Sequence, residues 1–103
     1  MKTRREKLEE FVAADPADSF SRYALALELT KEKRQVEAAE QFQEVIARDP
    51  NYVAAYYHLG HLLMHMGQVE DARSVWRRGI DAAGAAGDAK TCKEIQEALD
   101  ALG

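Results

Sequence analysis

The sequence predicts an all-α protein, a solenoid of antiparallel helix pairs with about six helices. Two observations carry this prediction. Alanine, leucine, glutamate, lysine and arginine dominate a 103-residue chain that holds only two prolines and six glycines, and this mixture favours helix over strand. Apolar residues also recur at three-to-four-residue spacing inside a longer period of 34 residues. Such nested spacing is typical of helices repeated along a chain.

The 34-residue period appears as columns of equivalent residues when the sequence is aligned with itself. Large apolar residues fill two columns and helix-breaking residues fill a third: Leu8, Phe42 and Trp76; Val12, Ile46 and Ile80; Pro16, Pro50 and Gly84. An aspartate precedes each proline, and these steps end helices because proline disfavours helical geometry in the residue before it. Each period therefore holds two helices separated by short polar breaks.

A single domain over residues 1–103 divides into four parts on this pattern. They are an N-terminal half-repeat helix over 3–14, a first repeat over 19–52, a second repeat over 53–86 and a C-terminal capping helix over 88–102. The terminal helices are atypical, as expected, because an internal repeat exposes apolar surface on both sides. Thr3 and Glu6 have the spacing of a capping box at the first helix start.

The two repeats each predict a helix pair. The predicted helices run over 19–31 and 35–48, then over 53–66 and 69–83. Gly67 marks the turn inside the second pair, since glycine tolerates the positive φ that often ends a helix. The stretch from Gly84 to Asp88 is predicted to be a turn before the cap helix.

This 34-residue pattern resembles the tetratricopeptide repeat. The second copy carries the signature in order, with Gly84 where the closing proline would stand: Tyr56, Leu59, Gly60, Leu63, Gly67, Ala72, Trp76, Gly79 and Ile80. The first copy is looser, because Arg22 replaces the usual bulky residue and Val45 a small one. The resemblance implies a right-handed superhelix that binds a protein or peptide partner, without a cofactor and without catalysis.

The resemblance also implies which side chains face a partner, since the first helix of each pair lines the concave surface in this family. The residues so placed are mostly apolar or aromatic with polar tips: Phe20, Tyr23, Leu27 and Lys31 from one repeat, and Tyr57, His58, His61, Met64 and His65 from the next. Such a surface suits an amphipathic helix or an extended peptide. In the alternative interpretation, Tyr23, Leu27 or Met64 packs beneath the C-terminal helix, which then fills part of the groove.

One kind of partner is disfavoured. Some members of the family bind the acidic C-terminal tails of chaperones through a clamp of lysine, asparagine and arginine. Tyr23, Leu27 and His58 occupy clamp positions here, so fixed contacts to a carboxylate are lost. We therefore do not expect chaperone-tail binding.

Charge and cysteine content argue against several other classes of protein. The net charge of −4 is spread along the chain, with no basic stripe of the kind that binds nucleic acid. No apolar run is long enough for a membrane span, and the first ten residues lack a secretion signal. The single cysteine, Cys92, cannot form an intrachain disulfide. A cytoplasmic protein fits these features best.

Three further interpretations concern chemistry and assembly. The histidines at 58, 61 and 65 share a helical face, but no carboxylate or cysteine completes a metal-binding set, so we expect no metal. No nucleophile motif or glycine-rich phosphate loop indicates an enzyme, and Cys92 lies on an apolar face, as a core residue would. A self-associating structural module, with a homo-oligomer as its product, is the main alternative to a peptide-binding adaptor.

Overall fold

The computed structural model describes all 103 residues and contains six α-helices and no strand. In chain order the helices are α1 (Arg4–Ala14), α2 (Ser19–Lys31), α3 (Gln35–Arg48), α4 (Val53–His65), α5 (Val69–Ala86) and α6 (Ala89–Leu102). The prediction of an all-α helical repeat is confirmed. None of the six helices combines the length and the apolar character that crossing a membrane requires.

Side chains cap the start of three helices. The Thr3 hydroxyl accepts the Glu6 N–H at 3.1 Å, and the Glu6 carboxylate accepts the Thr3 N–H at 3.0 Å, which is the capping box expected from the sequence. Asp18 and Asp88 cap α2 and α6, each accepting a backbone N–H from the first turn. These contacts satisfy donors that have no partner inside the helix.

A residue with left-handed backbone follows α2, α4 and α5. Lys33 (φ 64°), Gly67 (φ 78°) and Gly87 (φ 69°) take this role, and Lys33 is the only non-glycine residue with positive φ. The next residue then donates its N–H to the carbonyl five positions earlier, as Gln68 does to Leu63 at 2.8 Å. This hydrogen bond closes the helix end. Lys33 and Gly67 are 34 residues apart, so both repeats turn at the same position.

The second helix of repeat two is longer than the sequence indicated. We expected it to end at Ala83 with a turn from Gly84, but α5 continues to Ala86 and only Gly87 leaves the helix. Alanines surround Gly84 in this stretch, and their high helix propensity outweighs the cost of one glycine. The turn before α6 therefore needs only Gly87 and Asp88.

The helices stack in chain order, so that each packs on its neighbours, and α6 packs on both α5 and α4. The first of the 34-residue columns forms the centre of the stack, because Leu8, Phe42 and Trp76 are all buried. The molecule is elongated, with extents of 45 × 29 × 19 Å. Such a stack leaves side chains of α2 and α4 on its surface, where a partner can reach them.

Glycine allows two helices to approach closely inside the second repeat. A Cβ atom added to Gly60 would lie 1.9 Å from Nε1 of Trp76, so the indole occupies the space that any side chain would need. Trp76 Nε1 in turn donates to the Tyr57 carbonyl at 3.2 Å. Gly79 has the same role on the other side, where an added Cβ would lie 2.7 Å from Cβ of Tyr56.

Arg22 and Tyr56 occupy the same position of the two repeats and make the same contact. The Tyr56 hydroxyl donates to the Pro50 carbonyl at 2.7 Å, and the Arg22 guanidinium donates to the Pro16 carbonyl at 3.2 Å. Arg22 also donates to Gln41 at 3.0 Å. The bulky residue missing from the first repeat is thus replaced by a buried arginine that still reaches the turn before its helix.

Candidate binding surface

Two open cavities border α2, one on each side. The α2–α4 groove, with a volume of about 360 Å³, is lined by Leu27, Thr30, Lys31, Lys33, Gln35, Phe42, His58, His61, Leu62 and His65. The α1–α2 groove, with a volume of about 510 Å³, is lined by Arg4, Leu8, Phe11, Phe20, Ser21, Tyr23, Ala24, Leu27, Glu28 and Lys31. Leu27 and Lys31 lie on the ridge between them.

The nine predicted surface residues divide between these grooves. Five line the α2–α4 groove: Leu27, Lys31, His58, His61 and His65. Phe20 and Tyr23 line the α1–α2 groove instead, together with Leu27 and Lys31. Tyr57 and Met64 line neither groove, and both are half-buried side chains packed against the core. The structure therefore brings together most of the predicted set but on two surfaces.

Aromatic rings form a continuous ladder from Tyr23 to Trp76, and three of its members, Phe42, His58 and His61, line the α2–α4 groove. Tyr23 lies 5.7 Å from His58, measured between ring centroids, and His58 stacks on Phe42 with an angle of 7° between the rings. The ladder continues through Tyr57 to His61 at 4.7 Å, and from His61 to Trp76 at 5.0 Å. Such contacts hold the rings in place before any partner arrives.

Burial changes the acid–base chemistry of this ladder. It lowers the pKa of His58, with the charge of His61 lowering it further and Glu94 of α6 opposing the shift. The His61 pKa is also lowered, first by burial and then by the charge of His65. Burial raises the pKa of Tyr23. Two imidazoles in the groove are therefore mainly neutral at pH 7, and each still carries one N–H donor.

The α2–α4 groove is lined by basic and neutral side chains only. Two lysines and three histidines face it, and no carboxylate lines it. Lys31 and Lys33 belong to none of the ion pairs in the structure. This contrasts with the whole chain, in which 18 acidic residues outnumber 14 lysines and arginines. The groove thus differs in charge from the rest of the molecule.

The C-terminal helix leaves this groove open. Helix α6 packs on α5 and α4, where its Ile95 side chain is fully buried, and no residue of α6 lines either groove. Leu27 consequently lies at a groove surface and not beneath α6. Tyr23 likewise lines the α1–α2 groove, whereas Met64, the third residue of that alternative, is a half-buried side chain packed against the core.

A comparison with protein families identifies the repeat. The family model described as tetratricopeptide repeat matches residues 29–91, which is more than half of the chain. The chain belongs to the tetratricopeptide repeat family. It is also 29% identical over 90 residues to a tetratricopeptide repeat-containing protein of Pseudomonas aeruginosa, covering 87% of this chain and 86% of that protein.

Three solved structures resemble this one along most of its length. A tetratricopeptide repeat domain protein from Salinibacter ruber is 40% identical, with a TM-score of 0.78 over 82% of this chain and 86% of its own. Protein BPP2914 of Bordetella parapertussis is 28% identical, with a TM-score of 0.83 over 99% and 89%. PcrH, solved with the chaperone binding region of PopD, shares the fold at 14% identity, with a TM-score of 0.89 over 95% of this chain and 74% of PcrH.

Several groove residues of this tetratricopeptide repeat domain were not predicted from the sequence. Four of them line the α2–α4 groove outside the positions that the family pattern indicates: Thr30, Lys33, Gln35 and Leu62. The first three lie at or beyond helix ends, and Leu62 lies on a flank of α4. The 34-residue offset between Lys33 and Gly67 could have singled out Lys33, because it places a lysine where the other repeat has glycine.

Phe11 was also missed as a surface residue. Its column contains Val45 and Gly79, both buried in the full repeats, whereas Phe11 is 60% exposed. Gly79 packs against Tyr56 of the first helix of its own repeat, and α1 has no such helix beside it. This column of Phe11, Val45 and Gly79 therefore indicates that Phe11 belongs to an apolar face of α1.

The three histidines of α4 were also considered as metal ligands. The structure brings together no group of three histidine, cysteine, aspartate or glutamate side chains that could hold a metal ion. The rings of His58 and His61 instead contact Tyr23, Tyr57, Phe42 and Trp76. Cys92 is half-buried and packs against the core.

Proposed function

We propose that this protein is a protein–protein interaction module that binds a peptide or a partner helix in the α2–α4 groove. The observation that carries the proposal is the open groove itself, whose apolar floor is formed by Leu27, Phe42 and Leu62 and whose rim is polar. An apolar centre within a polar rim is the usual anatomy of a recognition surface. Binding without catalysis is the role expected of this repeat family.

Preorganisation supports the same conclusion. The rings of His58 and Phe42, which line the groove, are held against each other and against Tyr23, so a partner does not have to order them. Rigid walls reduce the entropy lost on association. The neighbour PcrH was solved with a bound segment of PopD, which is consistent with peptide binding by the fold.

A selection from a displayed library of random twelve-residue peptides tests the proposal. Thr30 is exposed and lines the groove, so Thr30→Trp fills the groove without disturbing the core. Ser74 is exposed on α5 and lines no described cavity, and Ser74→Trp is the matched control. We expect peptides selected on the wild type to bind Thr30→Trp at least about tenfold more weakly and Ser74→Trp equally well. Unchanged binding to Thr30→Trp, or no selected peptide at all, would contradict the proposal.

A second candidate function is self-association through the α1–α2 groove. Phe11 and Phe20 are 60% and 65% exposed at this groove, and paired exposed aromatics are typical of contact surfaces. Light scattering over a concentration series tests it. A dimer that is lost in Phe11→Ser together with Phe20→Ser supports the candidate, and a monomer at every concentration excludes it.

A further inference from the structure

The basic lining of the α2–α4 groove deepens the proposed function, on which this inference rests. The groove offers two lysines and three histidines as hydrogen-bond donors, next to an apolar floor of Leu27, Phe42 and Leu62. A carboxylate is the complement of such donors, and charge-assisted hydrogen bonds are stronger than neutral ones. Glu94 of α6, a helix that packs on α4, affects His58 but does not line the groove.

Both lysines are free to receive an anion. Glu28 and Glu32 lie on the same segment, but they pair with arginines: Glu28 with Arg4 at 3.3 Å, and Glu32 with Arg5 at 3.0 Å. Lys31 and Lys33 have no such partner in the structure. Glu28 and Glu32 are thus already paired with arginines, and the positive charges of the two lysines are not paired.

Lys33 adds an independent observation. It has φ of 64°, a conformation that glycine adopts at the same position of the second repeat. A non-glycine residue in this region is strained, and strain held where a ligand can bind points towards function. The chain keeps a long cationic side chain at the mouth of the groove where glycine would suit the turn better.

We propose that the α2–α4 groove selects a partner segment in which an aspartate or glutamate lies beside a large apolar side chain. The apolar side chain packs on Leu27, Phe42 and Leu62, and the carboxylate accepts hydrogen bonds from Lys31 and Lys33 and from the imidazoles of α4. Of these donors only His58 occupies a position that the family's chaperone-tail clamp uses, so this carboxylate is bound mainly by a different set of side chains.

The sequences of the peptides selected from the random library test this inference. We expect Asp or Glu next to Leu, Ile, Phe or Met in the peptides selected on the wild type. Synthetic versions with Asn or Gln in place of the acid should bind about tenfold more weakly. The substitutions Lys31→Glu and Lys33→Gly should weaken the binding of the acidic peptides to a similar degree. Lys7 is an exposed residue of α1 outside both grooves. The substitution Lys7→Glu makes the same charge change as Lys31→Glu and should have little effect on peptide binding.

Failure of this inference is separable from failure of the proposed function. Selected peptides that are neutral or basic, yet are blocked by Thr30→Trp, would overturn the carboxylate preference and leave the groove as the binding site. The carboxylate preference would also be overturned if acidic peptides bound Lys31→Glu and Lys33→Gly with the same affinity as the wild type. Peptides that Thr30→Trp does not block would overturn the proposed function itself.

Discussion

The phenol ring of Tyr23 lies against the imidazole of His58, with 5.7 Å between the ring centroids. This contact joins the first helices of the two repeats, α2 and α4, and it links a residue of the α1–α2 groove, Tyr23, to a residue of the α2–α4 groove, His58. Tyr23 also contacts Tyr52 at 5.1 Å and Phe42 at 6.1 Å. A residue with three aromatic neighbours holds the repeats together as well as bordering a surface.

Tyr23 is therefore predicted to contribute to stability through its ring and not through its hydroxyl. Tyr23→Ala should lower the free energy of unfolding by about 2 to 3 kcal/mol, because a large ring and its aromatic contacts are lost. Tyr23→Phe should change it by less than about 0.5 kcal/mol, since that hydroxyl makes no hydrogen bond within the chain, unlike the Tyr56 hydroxyl. Urea unfolding followed by circular dichroism measures both. Equal effects of the two variants would contradict this role.

Two glycines of the second repeat make a matched pair for stability. Gly60→Ala should lower the free energy of unfolding by about 1 to 3 kcal/mol, because the new methyl group would overlap Trp76. Gly84 is also helical but has open space around it, so Gly84→Ala should raise the free energy by about 0.5 to 1 kcal/mol through helix propensity. Thermal or urea unfolding distinguishes the signs. A neutral Gly60→Ala would show that Trp76 does not depend on this close approach.

Lys33→Gly is expected to separate stability from binding. Relief of the left-handed conformation should raise the free energy of unfolding by about 1 kcal/mol, while affinity for acidic peptides falls. Gly67→Lys places the same residue at the equivalent turn and should lower stability by a similar amount. If Lys33→Gly is less stable than the wild type, then the lysine makes a stabilising contact and its strain is not kept for binding.

Acidification should weaken the fold through two half-buried imidazoles, those of His58 and His61. The folded-state pKa values of His58 and His61 lie below the ordinary histidine value of about 6.5, so the unfolded chain takes up protons first. Their contribution to stability is complete above pH 6.5 and is lost as the pH falls towards the lowered values. Glu94 of α6 opposes the effect at His58 and reduces its size.

Urea midpoints between pH 8 and 5 test this sign. The wild type should become less stable as the pH falls, and the double variant His58→Phe, His61→Phe should lose much of that dependence. The exposed His65, changed to Phe, is the control: it removes only the smaller cause of the shift at His61 and should retain most of the dependence, because burial is the larger cause. A wild type that gains stability between pH 7 and pH 5.5 would contradict the lowered pKa values.

The fold was predictable from sequence because its signals are local. Apolar spacing defined the helices, the 34-residue offset defined the repeat, and Thr3 and Asp-Pro steps defined helix ends. The exception is α5, where Gly84 predicts a turn but neighbouring alanines keep it helical. The helix propensity of the whole segment outweighs the preference of this one residue.

The surface was less predictable because a groove depends on how three helices pack. The family pattern places Phe20 and Lys31 on one concave face, but only the packing of α1 against α2 shows that Phe20 lies in a separate groove. Tyr57 follows the same helical period as His61, yet its ring is taken up by contacts with His58 and His61. The basic character of the groove depends on Lys33, whose position is set by a turn and not by a helical face.

We propose the α2–α4 groove as the binding surface. Nuclear magnetic resonance mapping of a bound peptide tests this proposal most directly. A peptide selected from the random library would be titrated into the ¹⁵N-labelled protein. We expect the largest shifts at the amide signals of the groove residues Thr30, Lys31, Lys33, His58 and His65. The signals of Glu40 and Arg77, on the exposed surfaces of α3 and α5, should change little. Shifts concentrated at Glu40 and Arg77, with the groove signals unchanged, would contradict the claim.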